Sequence, residues 1–216
     1  MIEAVQNDGL LKALREEIST AVIPDTTEPG QIEFDMQKLL SLPLLSSVLT
    51  ETLRLRISTT PTRLLLSDRT VDGYVLKAGN CVMVPSWLAH TEAQWSSEGH
   101  PATSFWPERF LQQTGSANQK SKSTSPTPAP SPGTYFPFGG GSSMCPGRFF
   151  AKQEILTAVG IMILRFDIEL IRYIEHGGKN SERGPEPDVR KAGSGALLPD
   201  RDIMVRVRKH PPPYHS

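Results

Sequence analysis

The stretch FPFGGGSSMCPGRFF, from Phe136 to Phe150, constrains this chain more than any other. Three consecutive glycines, Gly139 to Gly141, lead to a thiol at Cys145, and an apolar run that reads as a helix begins after Arg148. Glycines at this density let the backbone come close to something flat or bulky, because no Cβ stands in the way. A helix opening just after the cysteine points N–H groups and the positive end of its dipole towards the sulfur, which favours the thiolate. Thiolate is a strong donor to iron, and the open loop leaves room for a large planar macrocycle. For an isolated cysteine, the alternative is a small buried hydrophobe in a turn.

The rest of the composition narrows the chemistry. The chain has 216 residues, enough for one domain with a core or for part of a larger one. Lys and Arg balance Asp and Glu at 23 each, so no charge excess favours nucleic acid. Two cysteines argue against a disulfide framework and are too few for a four-thiolate zinc or iron–sulfur centre within the chain. No apolar run reaches the about 18 residues of a membrane span. The start, MIEAVQNDGLLKALREEI, lacks the order of a signal peptide and reads as the middle of a protein.

Periodicity supplies the elements. Asp8 is placed to cap a helix whose apolar residues are Leu10, Leu11, Leu14 and Ile18. PDTTEPGQ, Pro24 to Gln31, reads as a loop. A second helix is predicted within LPLLSSVLTETLRL, with Leu45, Val48, Leu49, Leu53 and Leu55 as its stripe and Glu51 and Arg54 as neighbours on the other side. RLLLSDRTVDGYVLKAGNCVMVPSW reads as short strands with turns at Asp72-Gly73 and Ala78-Gly79. HTEAQWSSEGHPATSFWPERF reads as irregular chain with aromatic anchors. Residues 112–134 are rich in Ser, Thr, Pro, Gln and Lys and are expected to be a disordered surface loop. In the helix after Arg148, the apolar positions are 155, 158, 159, 162, 163 and 166, with Ile161 and Leu164 on the other side, so this helix is expected to be buried. DIMVRVRK near the end alternates like a strand, and 210–216 form a tail. Cys81 is expected to be a buried strand residue, His90 and His100 loop residues, and His210 and His215 solvated.

Phe138, Gly141, Cys145 and Gly147 together meet the pattern F-x-x-G-x-x-x-C-x-G, which resembles the haem-binding loop of the cytochrome P-450 family. ETLR, Glu51 to Arg54, resembles the family's E-x-x-R helix, and WPERF, Trp106 to Phe110, its P-E-R-F segment; all three occur in the family's order. The resemblance implies that Cys145 is the axial ligand of a haem iron, with Phe138, Gly141 and Gly147 shaping its loop. It implies a buried network of Glu51, Arg54 and Arg109 that holds this loop. Arg63 is similar to the family arginine that meets a haem propionate. Ser143 stands where many members carry Arg or His, and it offers a hydroxyl without a charge.

The resemblance runs from about Asp8 to Lys209 and matches the C-terminal, haem-proximal part of the family. A mainly α fold with small β-sheets (α+β) is therefore expected, as one partial domain over 1–216. The oxygen-activating helix, most of the substrate pocket and the membrane anchor have no counterpart in the sequence. The implied activity is that of a haem-thiolate monooxygenase inserting one atom of O2 into a lipophilic organic substrate, with NADPH electrons arriving through a flavoprotein reductase. A full-length parent would sit at the endoplasmic reticulum membrane. The sequence is also compatible with two other readings: an inactive haem-binding remnant, and a reductase-independent isomerase or dehydratase. PGRFF and the small residue at Ser143 resemble the branch containing sterol 7α-hydroxylases, prostacyclin synthase and many fungal members. KAGSGALLP, Lys191 to Pro199, corresponds to a family loop that reaches the substrate.

Overall fold

The computed structural model describes residues 1–24, 31–111, 133–193 and 195–210. The helices come first. A short α1 (Ile2–Val5) precedes α2 (Asp8–Ser19), which starts where Asn7 accepts the Leu10 N–H at 3.0 Å. The cap is thus Asn7 and not Asp8, which takes the first helical position where an acidic side chain suits the dipole. α3 (Met36–Ser41) is capped by Asp35, and α4 (Pro43–Arg56) opens on a proline. The free N–H groups at the start of α4 are satisfied from outside: the Glu17 carboxylate accepts from Leu44 and Leu45, each at 2.8 Å.

Small antiparallel pairs follow. β1 (Ile57–Ser58) is completed near the end of the chain, and β2 (Thr62–Leu64) encloses the hairpin of β3 (Arg69–Val71) and β4 (Tyr74–Leu76) before pairing with β5 (Cys81–Met83). The hairpin turns in two residues because Asp72 and Gly73 both adopt positive φ, at 47° and 82°. α5 (Ser86–His90) leads into irregular chain, as expected, and α6 (Arg148–Arg165) follows the glycine loop. β6 (Phe166–Ile174), which sequence reasoning did not identify, is the centre of a three-stranded sheet with β7 (Asn180–Ser181) and β9 (Asp202–Lys209). β8 (Gly195–Ala196) returns to pair with β1.

Leu10, Leu11, Leu14 and Ile18 of α2 pack with Leu39, Leu45, Leu49, Leu156, Ile163 and Leu164 to form the core. Gly160 sets the approach of α6, since a Cβ there would lie 3.0 Å from the Phe34 ring and 3.5 Å from Ile18. The buried line of α6 is Leu156, Gly160, Ile163 and Leu164, whereas Ile155 and Met162 are exposed. The sequence stripe is therefore out of phase: with apolar residues around most of the helix, periodicity could not say which line meets α2. Arg15 closes the far end of α6, donating to Ile163 and Phe166 carbonyls at 3.0 and 2.8 Å and pairing with Asp167 at 2.9 Å.

The mainly helical architecture with small sheets matches the expectation. Cys81 does lie in a strand but is exposed, because β2 and β5 leave most of their side chains uncovered. His210 is partly covered rather than solvated: its ring meets Asp167 at 2.8 Å. Of the loop expected over 112–134, residues 112–132 lie outside the described part, as do 25–30 of the earlier loop and His215.

Candidate haem-thiolate site

The site is built from α4 outward. Ser47, Glu51 and Arg54 fall at i, i+4 and i+7, so they share one face of the helix. All three are fully buried. The face opposite the leucine stripe is thus covered as well, because the Trp95–Phe110 segment lies against it. Arg54 meets the Glu51 carboxylate through two parallel bonds, at 2.7 and 2.8 Å. Arg109 Nε adds contacts at 3.0 and 3.1 Å, and the Trp106 N–H donates to the same carboxylate at 3.1 Å.

The remaining guanidinium donors pin the irregular chain. Arg54 Nη1 donates to the carbonyls of His90 and Ala102, both at 2.6 Å, and Arg109 reaches the carbonyls of Trp95 and Ser104. Ser47 donates to the Pro107 carbonyl at 2.6 Å and accepts the Phe110 N–H at 3.1 Å. The structure therefore brings together Glu51, Arg54 and Arg109, two cations around one anion. Sequence reasoning missed Ser47, although its i, i+4 spacing from Glu51 was a usable signal.

His90, expected in a loop, ends α5 and is fully buried. Its ring is surrounded by Tyr135, Phe136 and Trp95, with centroids 5.3, 5.1 and 6.3 Å away. Its Nε2 accepts the Phe136 N–H at 2.9 Å. Burial lowers its pKa from 6.5 to about 4, so the ring is neutral at pH 7. Burial also raises the pKa of Tyr135.

From Phe136 the chain folds into the glycine loop. Gly139 donates to the Phe136 carbonyl and Cys145 to the Phe138 carbonyl, each at 3.0 Å. Gly139 and Gly141 turn the chain with φ of 76° and 63°, values costly for any residue with a Cβ. A 3-10 turn over Gly141–Ser143 follows, and Arg148 opens α6 three residues after Cys145. The result is an exposed thiol two residues before Gly147, the N-cap of an 18-residue helix. Arg148 folds back to donate to the Cys145 carbonyl at 3.0 Å.

The residues fit a flat group held by sulfur. A Cβ built at Gly140 or Gly141 would meet nothing within 4 Å. A Cβ at Gly147 would sit 3.9 Å from the Cys145 sulfur. Arg63 is exposed on β2 and donates to the Gly140 carbonyl at 2.7 Å, which places a cation beside the loop. Ser143 is exposed within the turn, and Phe138 is half-buried. Among the described residues no group of three or more His, Cys, Asp or Glu could hold a metal.

The family model described as cytochrome P-450 matches residues 1–180. The chain belongs to the cytochrome P-450 family. It is 40% identical over 209 residues to cytochrome P-450 monooxygenase calL of Penicillium decumbens, covering 97% of this chain and 38% of that protein. It is 30% identical over 218 residues to human 7-alpha-hydroxycholest-4-en-3-one 12-alpha-hydroxylase, covering 98% of this chain and 41% of the relative. The structure of retinoic acid-bound cyanobacterial CYP120A1 superposes with a TM-score of 0.67 at 23% identity, over 95% of this chain and 40% of that one. The chain thus spans about two fifths of the length of the P-450 proteins it matches. Among the described residues no helix is long and apolar enough to cross a membrane.

Proposed function

We propose that this P-450 chain contributes the thiolate-bearing part of a haem-thiolate monooxygenase site, in which Cys145 would hold the iron through its sulfur. The observation that carries the reading is the exposed thiol at the start of α6, presented by a glycine turn fixed through the Phe138 carbonyl. Bound haem would supply activation of O2 and insertion of one oxygen atom into a lipophilic organic substrate, with electrons from NADPH through a flavoprotein reductase.

The chain's own residues have distinct tasks. Cys145 would hold the iron through its sulfur. Gly140 and Gly141 would leave room for the macrocycle, since a Cβ at either meets nothing within 4 Å. Arg63 supplies a cation for a propionate, and Ser143 supplies a hydroxyl. Glu51, Arg54 and Arg109 hold the segments beneath the loop. Substrate contact would fall to the end of β8 and to Leu198, which is exposed just beyond it. An endoplasmic reticulum location belongs to the same reading for the full-length parent.

The test is the Soret spectrum of the haem-loaded, reduced, carbon monoxide-treated chain. A strongly red-shifted band that Cys145→Ser abolishes is expected. An unchanged band in Cys145→Ser would reject the thiolate assignment. Turnover with a reductase would then separate a monooxygenase from a reductase-independent isomerase or an inactive haem binder.

A further inference from the structure

We infer that His90 is a positioning residue for the Cys145 loop: its imidazole fixes the root of the loop at Phe136, and its backbone carbonyl ties that root to the buried Glu51–Arg54–Arg109 network. The anchor is independent of any cofactor. What the loop is positioned for rests on the haem-thiolate reading above.

The ring's two nitrogens carry the argument. A backbone N–H can only donate, so Nε2 must offer a lone pair to Phe136, and the ring's proton sits on Nδ1. Nδ1 is buried and has no hydrogen-bond partner among the described residues. A buried donor without a partner is costly, and a hydrocarbon ring would fill the same slot without that cost. Retaining imidazole there is reasonable only if the other nitrogen does something a phenyl ring cannot. That something is to hold a backbone N–H at the root of the glycine loop.

Packing makes the anchor stiff. Tyr135 stacks on the ring with an interplanar angle of 26°, Phe136 leans on it at 60°, and Trp95 meets it edge-on at 80°. The ring cannot easily turn to exchange its nitrogens. The same residue's carbonyl receives Arg54 at 2.6 Å, so one side chain and one carbonyl link the ion network to the loop. Beyond Phe136, two backbone bonds continue the series: Gly139 to the Phe136 carbonyl, and Cys145 to the Phe138 carbonyl. The low pKa of the buried ring keeps it an acceptor at neutral pH.

The test is amide hydrogen exchange of the full chain, haem-free and haem-loaded, in His90→Phe, His90→Gln and His90→Asn. Phenylalanine keeps the ring and removes the acceptor. Glutamine can bring an amide oxygen to the place of Nε2, whereas the shorter asparagine cannot. Loss of one buried hydrogen bond is expected to speed exchange of the Tyr135–Cys145 peptide roughly tenfold in the Phe and Asn variants. Exchange in α2 and α6 should stay unchanged, and glutamine should restore protection of the loop. In haem-loaded protein, the red-shifted carbon monoxide band should weaken in the Phe and Asn variants and recover in the Gln variant. If His90→Phe fails to fold, the Gln and Asn pair still decides. Wild-type protection in His90→Asn, failure of His90→Gln to restore it, or equal acceleration across α2 and α6 would overturn the inference. Loop protection that follows the expected pattern in a chain with no red-shifted band would support the anchor and reject the haem reading instead.

Discussion

Glu51→Gln isolates what the buried ion network contributes. Glutamine keeps the size of the side chain but removes the charge that Arg54 and Arg109 share. Their side chains are 0% and 6% exposed, so neither guanidinium can recover its hydration without moving. Removing one partner of a buried ion pair costs about 3–5 kcal/mol, because the charge left behind stays uncompensated. Two cations remain here and repel each other, which argues for the upper part of that range. For a domain whose whole stability is of order 5–15 kcal/mol, this is a large fraction. At about 2–4 °C per kcal/mol for a chain of this size, the melting midpoint should fall by roughly 6–20 °C. Arg54→Met should cost about as much, and combining the two should cost less than the sum, because they break the same contacts. Urea unfolding of the 216-residue chain, followed by circular dichroism, measures these differences. The control is Lys77→Ala, which breaks the exposed Lys77–Asp68 pair, where under about 1 kcal/mol is expected. If Glu51→Gln moves the midpoint no further than Lys77→Ala, the network does not hold the irregular chain beneath the loop, and the reasoning fails.

Other perturbations probe separate links. Arg63→Leu should weaken haem retention about 10-fold or more, as expected for loss of one charge-assisted hydrogen bond, while leaving the Soret position unchanged; apo-myoglobin transfer kinetics would measure it. Gly160→Val should destabilise the chain by about 1–3 kcal/mol in denaturant unfolding, since its side chain must displace the Phe34 ring and Ile18 where α6 meets α2. The pKa of His90 is lowered by folding, so the unfolded chain binds its proton first. Its contribution to stability is therefore complete above pH 6.5 and is lost as pH falls towards about 4. The slope is at most about 1.4 kcal/mol per pH unit, and it should flatten in His90→Gln, as read from denaturation midpoints across that window.

Much of the site was legible in order along the chain. The spacing of Phe138, Gly141, Cys145 and Gly147 is local, and positive-φ glycines and a helix start are demanded by neighbours only a few residues away. The Asp72-Gly73 hairpin and the terminal strand Asp202–Lys209 were legible for the same reason. The phase of α6 was not, because a helix apolar on several sides buries whichever line its partner reaches, and Gly160 decides that contact. β6 was not legible either, since its alternation became informative only once β9 lay beside it.

The sequence by itself determined the thiol, its glycine turn, its helix and the three ordered motifs, because each is specified within a short window. The tertiary structure alone decided what those motifs do to one another. It buried both faces of α4, placed Arg109 across a carboxylate 58 positions away, and turned His90 from an apparent loop residue into the support of Phe136. The reason is physical. Burial and hydrogen-bond partnership are properties of chain segments distant in sequence, and a side chain does not carry them until the fold closes around it.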